Sequence, residues 1–310
     1  MDKIRWHIEP TSKCILECPL CDRTWFYKKF KKRLNHEIDI NHLINFFTGY
    51  SPHVVMCGNN GDPIYHSQFH LLCKKLKAIN CKLQITTNGS GKTKDWWKNL
   101  CKILSKTDTI TFSIDGLANT NSIYRINSKW DTVIDAIKIV TQHGIDTEWK
   151  FIPFKHNQHQ IESARRLSKE LGVKRFEIEK SDRWWTDEAK QKYMPEEKYV
   201  NSSYKQQIAV TNETDKKTFI KQKCMTALNG DPDRDLYIDS EGNFYPCCFI
   251  GLYAFRYKSI FTPKNNEFNI KDNTMAQILQ NKKVKSFFES TKSYETADKC
   301  CKIYCGVNNG

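Results

Sequence analysis

The sequence predicts an α/β fold: a partial (β/α)6 TIM-like barrel over residues 1–180, a connector over 181–219, and a small C-terminal α+β domain over 220–310. Three observations predict it. Short β-rich runs alternate with amphipathic helical patterns through the first 180 residues, which implies parallel β-α units. That alternation then breaks into a polar stretch, SDRWWTDEAKQKYMPEEKYVNSSYKQQ, with Trp184 and Trp185 near its start. Beyond it, a strand–turn–strand pattern appears among clustered cysteines.

The strand-like runs are IRWHIE (4–9), HVVMC (53–57), KLQITT (82–87), TITFSI (109–114), TEWKFIPF (147–154) and KRFEIEK (174–180). Six such units suggest an open parallel barrel, with its active site at the C-terminal ends of the strands. The clearest helix is WDTVIDAIKIVTQHG, in which Trp130, Val133, Ile134, Ile137 and Val140 share one face and Gly144 is a C-cap. A second is QIESARRLSKELG, ending at Gly172.

Composition narrows the class. With 39% hydrophobic and 27% charged residues, 310 residues make a soluble globular chain with a full core. No apolar run reaches a membrane span and MDKIRWHIEP has no apolar signal core, so a cytoplasmic protein without a membrane partner is expected. In a reducing compartment, 13 cysteines favour metal binding or catalysis over a disulfide framework. The net charge of +14 is densest in KKFKKR, Lys28 to Arg33. That run either steers an anionic partner or is a solvated lysine-rich surface, and the spread of the remaining charge favours the surface. A nucleic-acid partner is possible on charge but not favoured.

Cys14, Cys18 and Cys21 read C-x3-C-x2-C just after the first strand. One fixed three-cysteine spacing arises by chance about 0.02 times in such a chain. Three thiolates can hold three irons of a [4Fe–4S] cube and leave the fourth open to a substrate or cofactor. Zinc prefers four ligands in a closed tetrahedron, and no histidine stands close enough in sequence to complete one, although His36 or a distant residue could.

This motif resembles the signature of radical S-adenosylmethionine (radical SAM) enzymes. The resemblance implies the partial (β/α)6 barrel and an open iron chelated by SAM. It also implies cleavage of SAM to methionine and a 5′-deoxyadenosyl radical, with an external donor of flavodoxin or ferredoxin type. CGNNGDP, at the end of the second strand, looks like the family's Gly-Glu-Pro motif for the SAM amino group, with Gly61, Asp62 and Pro63 in place. Asp62 is one methylene shorter than the family's glutamate. Asn88 in TTNGS, Ser113 and Asp115 in FSIDG, and Arg125 as a partner for the SAM carboxylate complete the implied cofactor site. Leu20 stands where the family often has an aromatic residue, and Trp25, Phe26 and Tyr27 either cover the cluster or belong to the core. His156 and Asn157 lie at the barrel mouth, where they would contact SAM or substrate, or Asn157 would serve helix entry. Cys57, Cys73, Cys81 and Cys101 read as buried thiols, Cys57 being the one beside the SAM turn.

Six cysteines follow residue 220: Cys224, Cys247, Cys248, Cys300, Cys301 and Cys305. The hairpin LYIDSEGNFYPCC and the terminal C-x3-C resemble SPASM/twitch auxiliary domains. Six cysteines are too few for two fully ligated cubes, so a twitch-like domain with one auxiliary [4Fe–4S] cluster is expected. Its expected ligands are Cys224, Cys247, Cys301 and Cys305; adjacent cysteines in extended chain point opposite ways, which ranks Cys248 and Cys300 second. A structural zinc on four cysteines is the competing reading.

A peptide or protein side chain is the first expectation for substrate, then a sugar or nucleoside-type metabolite. Nucleotide rearrangement ranks low, because Asn-Asn-Gly falls short of that branch's double-glycine tail. With the first strand opening at residue 4, no N-terminal leader-binding domain is expected, which lowers the leader-peptide reading without removing it, since a separate protein can supply recognition. The reading from another class is a non-catalytic, metal-stabilised nucleic-acid binder, suggested by the charge and 12% aromatics.

Overall fold

The computed structural model describes residues 4–184, 186–201, 219–220, 235–251 and 267–307, with backbone only at 219–220 and 307. Six parallel strands, β1 (Arg5–Ile8), β2 (His53–Met56), β3 (Lys82–Thr87), β4 (Thr109–Ser113), β5 (Asp146–Phe151) and β6 (Arg175–Ile178), pair in sequence order. The sheet is open, because β1 and β6 do not meet.

Helices fill the crossovers: α1 (Asp22–Phe30), α2 (Ile40–Phe46), α3 (Phe69–Ala78), α4 (Lys94–Ile103), the single turn α5 (Asn121–Tyr124), α6 (Trp130–Gln142) and α7 (Ile161–Glu170). Alternate residues of a strand share a face. The register aligns Ile8, Met56, Ile85 and Ile110 across four strands, all fully buried. Leu72, Leu100, Ile137 and Val140 from the helices join them in one core. On α6, Val133, Ile137 and Val140 are buried, while Trp130 and Ile134 pack at the edge. His143 caps that helix, and Gly144 follows it at φ +72°, the left-handed region that glycine enters without a Cβ penalty. The opposite face of the sheet is polar: Gln84, Thr86, Thr111 and Glu148 lie on it, and Thr111 donates to Glu148 at 2.6 Å.

The polar stretch after β6 is packed at its start. Trp184 is buried with Tyr124, Phe154 and Tyr193 in a small cluster that reaches Cys18 and Leu20. Tyr193 ends a short helix, α8 (Asp187–Tyr193), and Arg183 pairs with Asp22 of α1. Trp185 lies outside the described residues.

In the C-terminal part, β7 (Phe219–Ile220) pairs with β10 (Gly306–Val307). The expected hairpin is β8 (Asp235–Ile238) and β9 (Phe244–Tyr245), turning at Gly242. Its placement was not visible in the sequence: β8 adds in parallel to the free edge of β1, with Trp6 opposite Leu236 and Ile8 opposite Ile238. The sheet therefore has eight strands in the order β6-β5-β4-β3-β2-β1-β8-β9. Three helices, α9 (Met275–Gln280), α10 (Lys282–Ser290) and α11 (Lys299–Cys305), complete the described chain. Among the described residues no helix is long and apolar enough to cross a membrane.

Candidate active site

Just past β1 the chain turns into the cysteine loop, which is pinned along its length. The Ser12 amide donates to the His36 carbonyl at 3.0 Å, and the His36 amide returns a bond to the Ser12 hydroxyl at 2.8 Å. The Asp62 amide donates to the Lys13 carbonyl at 2.9 Å. Cys21 caps α1, its carbonyl accepting from Trp25 at 2.9 Å. So anchored, Cys14, Cys18 and Cys21 are half-buried and line one cavity. Burial pushes the Cys14 thiol up to about 12, with the Asp62 carboxylate adding to the shift, and burial pushes Cys18 up to about 12 as well. A bare thiolate is therefore costly here, and cationic metal must offset that cost.

The ends of the next strands complete the cavity wall. Gly58 to Asp62 follow β2, Thr86 to Asn88 end β3, Ser113 ends β4, and Arg125 follows α5. The β2 turn is packed backbone on backbone. A Cβ on Gly61 would lie 1.9 Å from the Thr11 carbonyl oxygen, and one on Gly58 1.7 Å from that of Gly61. Only glycine permits this approach.

Asp62 is buried and turned toward β3. One oxygen accepts from the Asn88 amide at 2.7 Å and the Thr87 hydroxyl at 3.1 Å; the other accepts from Ile64 at 3.2 Å, capping the turn that Pro63 opens. Burial raises its carboxyl to about 6 against these donors. The Asn88 amide group also reaches Cys14 Sγ at 3.6 Å. Asp115 is fully buried, receives the Ile152 amide at 2.8 Å, and pairs with Arg125 Nε at 2.8 Å. Burial raises the Asp115 carboxyl and the Arg125 charge opposes that rise.

Three further features shape this site; Glu9 escaped the sequence reading, whereas Cys57 and Asn157 were named in it without the roles they take here. The first is Glu9, whose buried carboxylate accepts from the Gly61 amide at 2.9 Å and the Asn60 amide at 2.5 Å, and from the Tyr237 hydroxyl of β8 at 2.7 Å. It holds the β2 turn and the C-terminal hairpin together. Burial raises its carboxyl to about 7, with Tyr237 and the two amides opposing. Its signal was the phase of β1, which puts His7 and Glu9 on the polar face. The second is Cys57, which lies just past β2, lines the same cavity, and stands near enough to Cys248 to raise that thiol's pKa. Cys73, Cys81 and Cys101 are buried in the core as expected. The third is Asn157, which stands at the N-cap position of the short 3-10 turn Gln158–Gln160 without a side-chain capping bond. It is fully buried, takes the Phe154 amide at 2.6 Å and gives to the Asp115 and Ile152 carbonyls at 3.1 Å, bracing the mouth of β4 against β5. His156 stacks on Phe154 at 5.5 Å, and its pKa falls to about 4 through burial.

The C-terminal cysteines converge, with one correction. Cys248 opens a helical turn and Cys300, Cys301 and Cys305 lie on α11, so neither adjacent pair is in extended chain. The ground for ranking Cys248 and Cys300 second is gone, since neighbours on a helix are about 100° apart. Cys301 and Cys305 share a face at i,i+4. Burial raises the Cys247 thiol, and Cys248, Cys300 and Cys301 raise it further; Cys300 has Asp298, Cys305 and Cys248 as neighbours. Cys224 lies outside the described residues.

The N-terminal residues fit an iron–sulfur cube with SAM: three soft donors on one loop, and beside them a turn so close that no Cβ fits. Comparisons with known proteins agree. The family described as "Radical SAM superfamily" matches residues 8–167, and SPASM, an "Iron-sulfur cluster-binding domain", matches 230–306. A pre-heme d1 synthase of Dinoroseobacter shibae is 23% identical over 172 residues, 55% of this chain but 41% of that protein's length. Streptococcus suis SuiB bound to its precursor peptide SuiA superposes with a TM-score of 0.60 at 15% identity, covering 97% of this chain and 70% of that one. Native anSMEcpe with bound AdoMet and the Cp18Cys peptide gives 0.57 at 15% identity, over 93% and 82% of the two chains. At such identities these two structures show the fold alone.

Proposed function

This chain belongs to the radical SAM superfamily, and on that premise we propose that it removes a hydrogen atom from a peptide or protein substrate, leading to modification, cross-linking or dehydrogenation. The carrying observation is one cavity lined by Cys14, Cys18 and Cys21 and by the ends of three further strands. A [4Fe–4S] cluster with bound SAM supplies the one-electron cleavage that gives methionine and a 5′-deoxyadenosyl radical. The three thiolates bind that cluster, and Asn88 steadies Cys14.

In our reading Gly61 brings bare backbone to the SAM amino group. Asp62 fixes that turn against β3, since both its oxygens already accept from protein donors. Arg125, oriented through Nε by Asp115, presents its remaining N–H groups to the SAM carboxylate. Ser113 stands at the cavity wall within the ribose's expected place. The C-terminal thiols hold one auxiliary cluster that takes an electron from the substrate radical or orients the substrate. A peptide substrate is supported by the peptide-bound relatives of this fold, and the cytoplasm is its expected place.

Anaerobic reconstitution should give about eight irons per chain, four for each cube. Dithionite and SAM should then yield 5′-deoxyadenosine, and a carbon-deuterated peptide substrate should pass deuterium into it. No 5′-deoxyadenosine would overturn the catalytic reading; label transferred only from a small metabolite would overturn the peptide.

A further inference from the structure

The helix that leaves the cysteine loop has too little beneath it. Of the nine residues of α1 only Thr24 is buried, whereas Trp25 and Phe30 are each 48% exposed and Tyr27 is exposed as well. Nine residues make a marginal helix in water without tertiary packing. The aromatics carry cations on their faces: Lys29 Nζ lies 4.9 Å from the Trp25 ring, and the Arg33 guanidinium 4.8 Å from Tyr27. Five of the six residues 28–33 are Lys or Arg. An aromatic centre rimmed by cations has the composition of a protein interface.

The surface continues onto the cysteine loop itself. Arg33 pairs with Glu17 at 3.3 Å, the Glu17 amide donates to the Ile126 carbonyl at 3.1 Å, and Asn127 donates to the Ile15 carbonyl at 3.2 Å. Ile15 and Ile126 are exposed. Within the loop, Cys14, Leu16 and Cys18 line the cavity, while Ile15 and Glu17 between them face solvent. The loop is thus one chain thick, with the cavity on one side and this surface on the other. A substrate in the cavity would not meet the outer face. An electron entering from that outer surface would cross only this wall to reach metal on Cys14 and Cys18.

We propose that this face, Trp25, Tyr27 and Phe30 with the 28–33 cations, docks an acidic one-electron carrier protein that reduces the cluster; the proposal rests on the radical SAM reading above. One electron leaves the carrier and enters the cluster, and no bond is made or broken at the interface. Positive rim against acidic carrier gives fast, salt-sensitive association through a small transient contact.

The test uses the reconstituted full chain, with reduced flavodoxin, an acidic flavoprotein, as the probe. Two variants are compared with the parent: Lys28→Glu/Lys29→Glu/Lys31→Glu/Lys32→Glu, and Trp25→Ser/Phe30→Ser. Flavodoxin binding at low salt and cluster reduction should both weaken by at least ~10-fold, and the charge variant should lose its salt dependence. Dithionite-driven 5′-deoxyadenosine formation should stay at the parent level in both. Parent-like flavodoxin binding in both variants overturns the proposal, as does a parallel loss with dithionite, which would assign the face to substrate or to folding. If the charge variant fails to fold, the serine pair decides alone. A parent protein that makes no 5′-deoxyadenosine even with dithionite strikes the functional reading instead, so the two failures are distinguishable.

Discussion

The chain carries two cysteine sets that are built differently. Cys14, Cys18 and Cys21 sit on a loop whose anchors are backbone bonds to β2 and α2 neighbours, and their thiols open onto a cavity shared with Asn88, Ser113 and Arg125. Cys247, Cys248, Cys300 and Cys301 neighbour one another instead: burial raises the Cys247 thiol, and Cys248, Cys300 and Cys301 raise it further. The first arrangement leaves space beside the metal for a guest molecule. The second groups its thiols beside one another. The two regions share one continuous sheet, which Glu9 and Tyr237 bridge.

Removing ligands breaks this comparison most directly. Cys14→Ala should lower SAM cleavage by at least ~10³-fold and iron from about eight to about four atoms. Cys301→Ala should lose the same iron yet still release 5′-deoxyadenosine without substrate. Assaying iron and 5′-deoxyadenosine together checks both, and equal loss of cleavage in the two variants would erase the distinction. Asp115→Ala comes next: it strands the buried Arg125 charge and should cost about 3–5 kcal/mol in denaturant unfolding, with weaker SAM binding.

The bridge between the two regions has a pH signature. Glu9 keeps its proton to about pH 7 when folded but only to about 4.5 when unfolded. The native state thus binds more protons between those values, and stability falls as pH rises through that window, by up to about 3 kcal/mol from this residue. His53 and His156, each lowered from 6.5 to about 4 by burial, push the other way between those two values. The difference between parent and Glu9→Gln curves isolates the glutamate; a flat difference from pH 4.5 to 7 would refute it. The smallest effect is Tyr237→Phe, which removes one bond to Glu9 and should cost about 1–2 kcal/mol by the same measurement.

What was legible in the sequence was local. The runs 82–87 and 109–114 became β3 and β4 almost residue for residue, because strand alternation and β-branched content act over neighbours. Gly61, Asn88 and Ser113 were named because each lies at a strand end, and Arg125 because it follows them in chain order; all four line one cavity. Asp62 was found too, but not the direction of its carboxylate, which answers donors at residues 87 and 88. Cys300 was ranked second on a premise of extended chain that a pair of letters cannot establish, and the backbone there is helical.

The sequence by itself determined the alternating α/β units, the thiol spacing that suits a cube with an open iron, and the hairpin after residue 234. Each is written in the order of adjacent residues. Only the tertiary structure decided that β8 joins the edge of β1, that Glu9 finds Tyr237 across 228 positions, and that the cysteine loop is a wall with two faces. Those depend on which surfaces meet when apolar area is buried, and a buried carboxylate takes whatever donors that meeting supplies.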